Sequence, residues 1–345
     1  MKLLPSSRHF RFANCSAHFC LRAIACLAAA AALSWISVRP AGRPIPQKED
    51  QARGAVVRVG VTMVTVGVRV TDRNAREVRG LKREDFSIYE DNIPQPVAFF
   101  AEEEQPVSVG ILLDQSQSMG ESNKLTRAKM AAIYLTQAGH ADNEYLYIPF
   151  DDRANVSVDF TSDRGRVMSA IFTTTLGEGT SLYDAILLAL DRFKNARYGR
   201  QVLVVITDGT DQHSAHTLDD VVVGLQESKV QLYLIGYFSE FEDRLFRSGV
   251  RNVMRIDGVS LDNPRLVFKR LSEETGAESF FPESDQQLRQ TVESLSEDVR
   301  RQYTLAYYPS RPFRDDAYRH IEVKVRRRGV RIRARQGYRP VKSEE

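Results

Sequence analysis

Apolar residues at every second position mark the two ends of this chain, whereas its middle follows a different pattern. From Val56 to Val70 the apolar side chains alternate with other residues, and this period of two is typical of a half-buried β-strand. The same signal recurs in four further segments: Leu81–Glu90, Pro96–Ala101, Tyr303–Tyr308 and Ile321–Ala334. We therefore predict β structure at both ends of the chain.

Unbroken apolar runs replace this alternation in the middle of the chain. Such runs are typical of strands buried on both faces, and they lie at Val107–Leu113, Tyr145–Phe150, Val202–Ile206 and Val230–Tyr237. Segments with helical spacing accompany them, at Asn123–Ala138, Leu182–Phe193, Leu218–Glu227, Pro264–Thr275 and Ser284–Arg300. Ala154–Phe160 alternates instead and suits a short antiparallel edge strand. This order predicts an α/β fold, a doubly wound and mostly parallel sheet with helices on both faces.

The strands predicted at the two ends are too few to form separate cores, because an isolated small sheet is only marginally stable. We infer that they pair into one small β-sandwich and that the α/β domain is inserted between its two parts. The predicted boundaries place the first part of the sandwich at residues 54–105, the α/β domain at 106–300 and the second part at 301–340.

The last part of the chain predicts a hairpin with one apolar and one basic face. Ile321–Val325 and Val330–Ala334 alternate on either side of Gly329, and Arg331, Arg333 and Arg335 alternate with the apolar residues of the second segment. A charged strand face is usually solvated and protects a sheet edge from pairing. The functional alternative is a basic surface for anionic envelope polymers or lipid head groups.

The N-terminal segment, residues 1–38, predicts a signal peptide or an uncleaved anchor. Four basic residues (Lys2, Arg8, Arg11 and Arg22) precede the apolar stretch Ala23–Val38. That stretch is shorter than the roughly 20 residues of a comfortable transmembrane helix, and Ala32-Leu33-Ser34 offers a small-x-small cleavage site. Residues 39–53 are rich in Pro, Gly and charge and predict a disordered linker. We expect export to the periplasm, the cell envelope or the extracellular space.

Composition and motifs exclude several classes of function. The chain has 345 residues and a formal net charge of +3, which makes no case for nucleic-acid binding. Its three cysteines, Cys15, Cys20 and Cys26, all lie in the export segment, so neither a disulfide framework nor a thiol nucleophile is expected in the mature protein. The motifs Gly-x-Ser-x-Gly, Gly-x-x-x-x-Gly-Lys-Ser/Thr and, after the first strand, Gly-x-Gly-x-x-Gly do not occur.

Three short polar segments carry the candidate chemistry. Asp114, Ser116 and Ser118 directly follow the first buried run, and Thr180 lies in Gly-Thr-Ser before a predicted helix. Asp208 lies in Thr207-Asp208-Gly209, directly after the run Val202–Ile206. In an open α/β sheet, ligands bind at the carboxyl ends of the strands, where the strand order reverses. Carboxylate and hydroxyl oxygens suit a hard divalent cation. The alternative is that the first segment only caps the next helix.

These segments, in this order, resemble the von Willebrand factor type A domain with its metal-ion-dependent adhesion site. The resemblance covers roughly Pro106–Arg300, and both flanks resemble a bacterial envelope subgroup of these proteins. It implies that Mg²⁺ or Mn²⁺ is held by five residues: Asp114, Ser116, Ser118, Thr180 and Asp208. Gln117 stands where these bacterial proteins often have Gly, and its side chain is expected to point away from the ion.

The expected function is protein binding without catalysis. A cation held by few carboxylates keeps a free position and attracts an Asp or Glu from a protein partner. The best enzymatic alternative is a Mg²⁺-dependent phosphohydrolase, which would need a general base and a phosphate-binding Lys or Arg near Asp114. A structural envelope protein with an empty metal loop is the third possibility.

Two weaker constellations lie nearby. Asp208, Asp211, His213 and His216 suggest a transition-metal site only if the two imidazoles converge, and we favour solvated loop histidines. We likewise favour turn and cap chemistry over a second cation site for the pair Asp151-Asp152.

Overall fold

The computed structural model describes residues 63–102, 105–209, 211–250, 252–256, 259–311 and 316–340. The predicted signal peptide or anchor (1–38), the linker (39–53) and the first half of the Val56–Val70 alternation lie outside the described residues. The described residues belong to one unit, Val59–Glu345. None of the helices within them is long and apolar enough to cross a membrane.

Strands and helices follow the predicted order. The strands of the described residues are β1 (Val64–Asp72), β2 (Phe86–Glu90), β3 (Ile93–Gln95), β4 (Phe99–Ala101), β5 (Ser108–Asp114), β6 (Glu144–Phe150), β7 (Val158–Thr161), β8 (Gln201–Thr207), β9 (Val230–Gly236), β10 (Asn252–Ile256), β11 (Val259–Asp262), β12 (Ser279–Phe280), β13 (Tyr303–Tyr307), β14 (Arg319–Val325), β15 (Val330–Ala334) and β16 (Gly337–Tyr338). The helices are α1 (Lys124–Ala138), α2 (Arg164–Thr173), α3 (Leu182–Phe193), α4 (Leu218–Glu227), α5 (Glu240–Phe246), α6 (Pro264–Thr275) and α7 (Asp285–Arg300). Short 3₁₀ segments at Arg83–Asp85 and Gln117–Asn123 precede β2 and α1.

The middle of the chain forms the predicted doubly wound sheet. Its strand order is β12-β9-β8-β5-β6-β7, with every pair parallel except β6 and β7. Helices α1, α2 and α7 cover one face, and α3, α4 and α6 cover the other. From β5 the chain builds outward through β6 and β7, and then returns to the other side of β5 with β8. The strand order therefore reverses between β5 and β8, whose carboxyl ends carry Asp114 and Asp208.

Strands from both ends of the chain form the β-sandwich. One sheet has the order β15-β1-β13-β4 and the other β16-β14-β2-β3, and all their pairs are antiparallel. Their facing apolar side chains share one core, in which Val66 and Val68 of β1 lie with Ile88 of β2 and Leu305 of β13. Because β1 pairs with β13 at Val66 and Leu305, neither end of the chain forms this core alone.

The predicted arginine hairpin is wrong. β14 pairs with β2 and β15 pairs with β1, so the two segments lie in different sheets and Gly329 (φ +73°) turns the chain from one sheet to the other. Each strand has one apolar face, and this face can be buried in a sandwich as well as in a hairpin. The spacing of the residues could not tell the two arrangements apart.

The basic face of β15 is neither fully solvated nor free for anionic ligands, because it packs against the α/β domain. Arg333 forms ion pairs with Glu278 and with Asp298 near the end of α7. Arg335 donates to the carbonyl oxygens of Gln226 and Ser228 at 3.2 and 2.9 Å. Of the three arginines that were predicted to form this face, only Arg331 is exposed in the structure.

Candidate metal centre

The first loop of the candidate centre is held by the carboxylate of Asp114. This side chain is fully buried, and its Oδ1 accepts the backbone N–H of Ser116 at 2.8 Å. The Ser116 and Ser118 hydroxyl oxygens are 3.1 Å apart. Met119 is fully buried in the core below, and its N–H donates to the carbonyl of Ser116 at 3.0 Å. The buried methionine thus fixes the loop and leaves Ser118 at the exposed surface.

The second loop carries Thr180, which is only 3% exposed. Its carbonyl accepts the N–H of His213 at 3.0 Å, and its own N–H donates to the Nδ1 of that residue at 3.2 Å. The same loop reaches the first loop through Gly177, whose N–H donates to the carbonyl of Gln115 at 2.6 Å. Backbone contacts therefore hold Thr180 between the first and third loops.

Asp208 in the third loop completes a chain of hydrogen bonds across the crevice. The Ser118 hydroxyl donates to its Oδ1 at 2.9 Å, and the ammonium of Lys124 donates to its Oδ2 at 2.6 Å. Thr207, one residue earlier, donates its hydroxyl to Oδ2 of Asp114. The structure thus brings Asp114, Ser116, Ser118 and Asp208 into one network.

The electrostatics of this network favour an added cation. Burial, and then the negative charge of Asp208, raise the pKa of Asp114 to about 7. Burial also raises the pKa of Asp208, although the neighbouring Lys124 opposes the shift. Among the described residues, the Asp114 carboxylate has neutral hydrogen-bond partners: the backbone and side chain of Ser116 and the hydroxyl of Thr207.

The residues present therefore fit a hard divalent ion by the chemistry of their donor atoms. Two carboxylates and three hydroxyls supply only oxygen, without nitrogen or sulfur, as Mg²⁺ and Mn²⁺ prefer. The described residues contain no cluster of three or more His, Cys, Asp or Glu side chains that could hold a metal. The five predicted ligands include only two such side chains, Asp114 and Asp208, so they do not form a cluster of that kind.

Sequence reasoning missed three residues of this centre: Thr207, Lys124 and Glu242. Thr207 stands next to Asp208 and could have been suspected as a partner of Asp114 from its place at the end of β8. Lys124 opens α1, and its spacing gave no sign that it would be buried against Asp208, 84 residues later. Glu242 accepts from the same ammonium at 3.4 Å and lies on α5, a helix without buried residues that the apolar pattern did not predict.

The neighbouring histidines do not converge. His213 contacts the backbone of Thr180, whereas His216 is exposed and contacts Asp184 at 2.8 Å. Asp151 accepts from the N–H of Arg153 at 3.1 Å, in agreement with the turn chemistry predicted for this position. Its other carboxylate oxygen accepts from the Gln115 side chain at 2.8 Å, which ties the end of β6 to the first loop.

Comparison with known families gives a match for the segment that contains this centre. Residues 109–210 match the family model of the von Willebrand factor type A domain, so the match spans all three loops from Asp114 to Asp208. A curated protein of Borreliella burgdorferi, whose name assigns it no function, is 30% identical over 140 residues. The aligned stretch covers 38% of this chain and 41% of that protein, so the chain spans less than half of the relative's length.

Three of the solved structures with similar folds have TM-scores between 0.42 and 0.46. A von Willebrand factor type A protein from Catenulispora acidiphila is 11% identical, with 80% of this chain and 73% of that chain covered and a TM-score of 0.46. BatB from Bacteroides thetaiotaomicron is 18% identical, with 56% and 98% covered and a TM-score of 0.42. Proximal thread matrix protein 1 from the mussel byssus, solved with a zinc-occupied MIDAS motif, is 15% identical, with 61% and 49% covered and a TM-score of 0.44.

Proposed function

We propose that the α/β domain binds a protein partner through a divalent cation, Mg²⁺ or Mn²⁺, and that the partner supplies an Asp or Glu to that cation. The observation that carries this proposal is the fully buried carboxylate of Asp114, whose partners in the described part of the chain are neutral donors, at the point where the strand order reverses. The match of residues 109–210 to the von Willebrand factor type A domain supports the same class of function.

Five residues would hold the ion, directly or through water: Asp114, Ser116, Ser118, Thr180 and Asp208. When bound, the ion supplies a positive charge and an open coordination position at the exposed end of the sheet. Asp114 and Asp208 supply the negative charge, whereas the hydroxyls complete the ligand shell without neutralising the ion. Ser118 is exposed, so the partner is expected to approach from its side of the centre.

A phosphohydrolase is less well supported by this arrangement. It requires a basic side chain that can reach a phosphate, and Lys124 is the basic group in contact with Asp208. Its side chain is only 4% exposed, and its ammonium already contacts both Asp208 and Glu242. We therefore propose a binding protein rather than an enzyme. Incubation with generic phosphate esters tests this choice, and turnover that depends on Asp114 would reverse it.

Calorimetric titration with Mg²⁺ and Mn²⁺ tests the proposed centre. The Asp114→Ala variant is expected to lose binding because one of the two anionic ligands is removed. Asp152→Ala is the matched control, since Asp152 is a half-exposed carboxylate near the end of β6 and is not among the proposed ligands. Unchanged affinity in Asp114→Ala, or equal losses in both variants, would contradict the proposal.

Partner binding is tested by a pull-down from envelope extract with and without chelator. Capture is expected to need the divalent ion and to be lost in Asp114→Ala and Thr180→Ala. Capture that survives the chelator would place the partner elsewhere on the protein. Export is part of the same proposal, and it rests on the basic and apolar character of residues 1–38. Fractionation of the cells, with mass analysis of the mature N-terminus, tests it.

A further inference from the structure

Lys124 is an unusual residue to find inside a cation-binding centre. It is the first residue of α1 and is 3% exposed, and its ammonium lies 2.6 Å from Oδ2 of Asp208 and 3.4 Å from Oε2 of Glu242. Burial of a lysine costs free energy unless its charge is paired, so these contacts keep a full positive charge next to a proposed ligand.

That charge changes the balance of the centre. Asp114 and Asp208 together neutralise one divalent ion, and the ammonium of Lys124 then leaves an excess of one positive charge. Glu242, whose side chain is 33% exposed, is the resident carboxylate that offsets this excess from the solvent side. Its own position is fixed, because its Oε2 also accepts the N–H of Ser239 at 2.6 Å at the start of α5.

We propose that Lys124 and Glu242 form a charge-balancing pair that trades cation affinity against carboxylate affinity at the metal centre. Lys124 repels the incoming ion but attracts the partner's carboxylate once the ion is bound. Glu242 attracts the incoming ion and repels the partner's carboxylate. The inference rests on the proposed function and adds to it the residues that set how strongly the loaded centre selects an acidic ligand.

The pair predicts two affinities that move in opposite directions. Lys124→Met is expected to bind Mn²⁺ roughly tenfold more tightly and to bind a carboxylate more weakly, because it removes a unit positive charge that contacts the proposed ligand Asp208. Glu242→Gln is expected to bind Mn²⁺ more weakly and a carboxylate more tightly. Gln keeps an oxygen for the Ser239 N–H, so the start of α5 is preserved.

The experiment uses Mn²⁺ and acetate as probes. The paramagnetic resonance signal of free Mn²⁺ gives the cation affinity, and water-proton relaxation of the Mn²⁺-loaded protein during an acetate titration gives the carboxylate affinity. Glu240→Gln is the matched control, because Glu240 has a 91% exposed side chain on the same helix and carries the same charge. Asp114→Ala supplies the blank for acetate binding to Mn²⁺ in solution.

Opposite shifts of the two affinities within each variant would support the pair. Affinities that move together, or that match those of Glu240→Gln, would overturn it even if the wild type binds Mn²⁺ normally. A wild type that binds no Mn²⁺ would overturn the proposed function as well, which separates the two failures. If circular dichroism shows that Lys124→Met does not fold, the partly exposed Glu242→Gln decides the question alone.

Discussion

A carboxylate is buried at each end of the parallel sheet, and the two carboxylates differ in the charge of their partners. Near the amino ends of the strands, Asp298 has a fully buried side chain whose Oδ2 meets Arg69 at 2.7 Å and also Arg333. The hydroxyl of Tyr233 lies 3.3 Å from the same oxygen. At the carboxyl ends, Asp114 is equally buried, and its hydrogen-bond partners in the described part of the chain are neutral: Ser116 and the hydroxyl of Thr207.

The Asp298 carboxylate is paired with cationic side chains of the protein, whereas the Asp114 carboxylate is not paired in this way in the described part of the chain. Two guanidinium groups surround Asp298, and they come from neighbouring positions of paired strands, since Arg69 of β1 lies opposite Arg333 of β15. That carboxylate therefore joins the sandwich to the α/β domain. No cationic side chain contacts Asp114 among the described residues, and burial together with Asp208 raises its pKa to about 7.

The largest expected effect comes from removal of the C-terminal strands of the sandwich. Deletion of every residue after Arg300 removes β13, the strand between β1 and β4, together with β14. Strand β1 then loses both of its partner strands, β13 and β15, and its apolar face becomes exposed. We expect the truncated protein to aggregate. A protein of residues 54–300 that is soluble, monomeric and melts cooperatively would refute the shared sandwich.

Asp298→Ala is expected to lower the free energy of unfolding by about 3 kcal/mol, because it leaves the partly buried Arg69 and Arg333 with only the more exposed Glu278 as an acidic partner. Urea denaturation followed by circular dichroism measures the loss. Glu297→Ala is the matched control, since this neighbour has a side chain that is 61% exposed. If the two variants lost similar stability, the ion pairs would not hold the sandwich on the α/β domain.

In chelator-treated protein, the ionised carboxylate of Asp114 is expected to lower the stability of the fold, whereas the carboxylate of Asp298 raises it. Its pKa is raised from 3.8 to about 7 by burial and by Asp208, so the folded state binds more protons than the unfolded state across that interval. The stability that the protonated carboxyl contributes is present below pH 3.8 and is lost as the pH rises through about 7. Relative to Asp114→Asn, the wild type should lose on the order of 2–4 kcal/mol over this interval.

Saturating Mg²⁺ should remove this difference, because a bound cation favours the ionised carboxylate. Urea denaturation at a series of pH values, with chelator and with Mg²⁺, provides the measurement. Parallel stability curves for wild type and Asp114→Asn in chelator would show that the Asp114 charge costs nothing in the folded state.

The smallest expected effect is that of Arg331→Gln. Arg331 is the exposed member of the basic face of β15, so its replacement should change stability by less than about 0.5 kcal/mol. Partner capture should also be unchanged, whereas Arg333 and Arg335 cannot serve as such controls because they contact the α/β domain. Loss of capture in Arg331→Gln, with the stability intact, would assign the function to this basic strand.

Local spacing predicted the regular elements of the α/β domain well. Helices α3, α4 and α6 have the predicted bounds, and α1 and α7 begin one residue late. Helix α1 begins late because Asn123 adopts a left-handed conformation (φ 59°). Helix α7 begins late because Ser284 is its N-cap, and the Ser284 side chain accepts the N–H of Gln287. Helix α2 was missed because it buries only Val167 and Ile171, too few for a recognisable stripe.

Long-range partners could not be predicted in the same way. The Arg333 side chain finds Asp298 across 35 residues, and Lys124 finds Asp208 across 84. In sequence these residues are only charges on a strand and at a helix start, because the topology that brings the partners together is not a local property. The ligands could be proposed from sequence because strand ends and hydroxyl-rich loops are local signals, whereas the arrangement of charges around them is not.

The point where the α/β domain leaves the sandwich also determines how the protein would carry a mechanical load. The chain enters the domain after Ala101 of β4 and returns at β13, where Thr304 is paired with Ala101. A pull on the domain would therefore act on both strands from the same side. If the opposing force acts at the amino end of β1, the load runs along the antiparallel β13–β1 ladder, which is paired from Val64 with Tyr307 to Val68 with Tyr303. Hydrogen bonds loaded in this direction share the force and break together, so single-molecule stretching should show one high rupture peak for the sandwich.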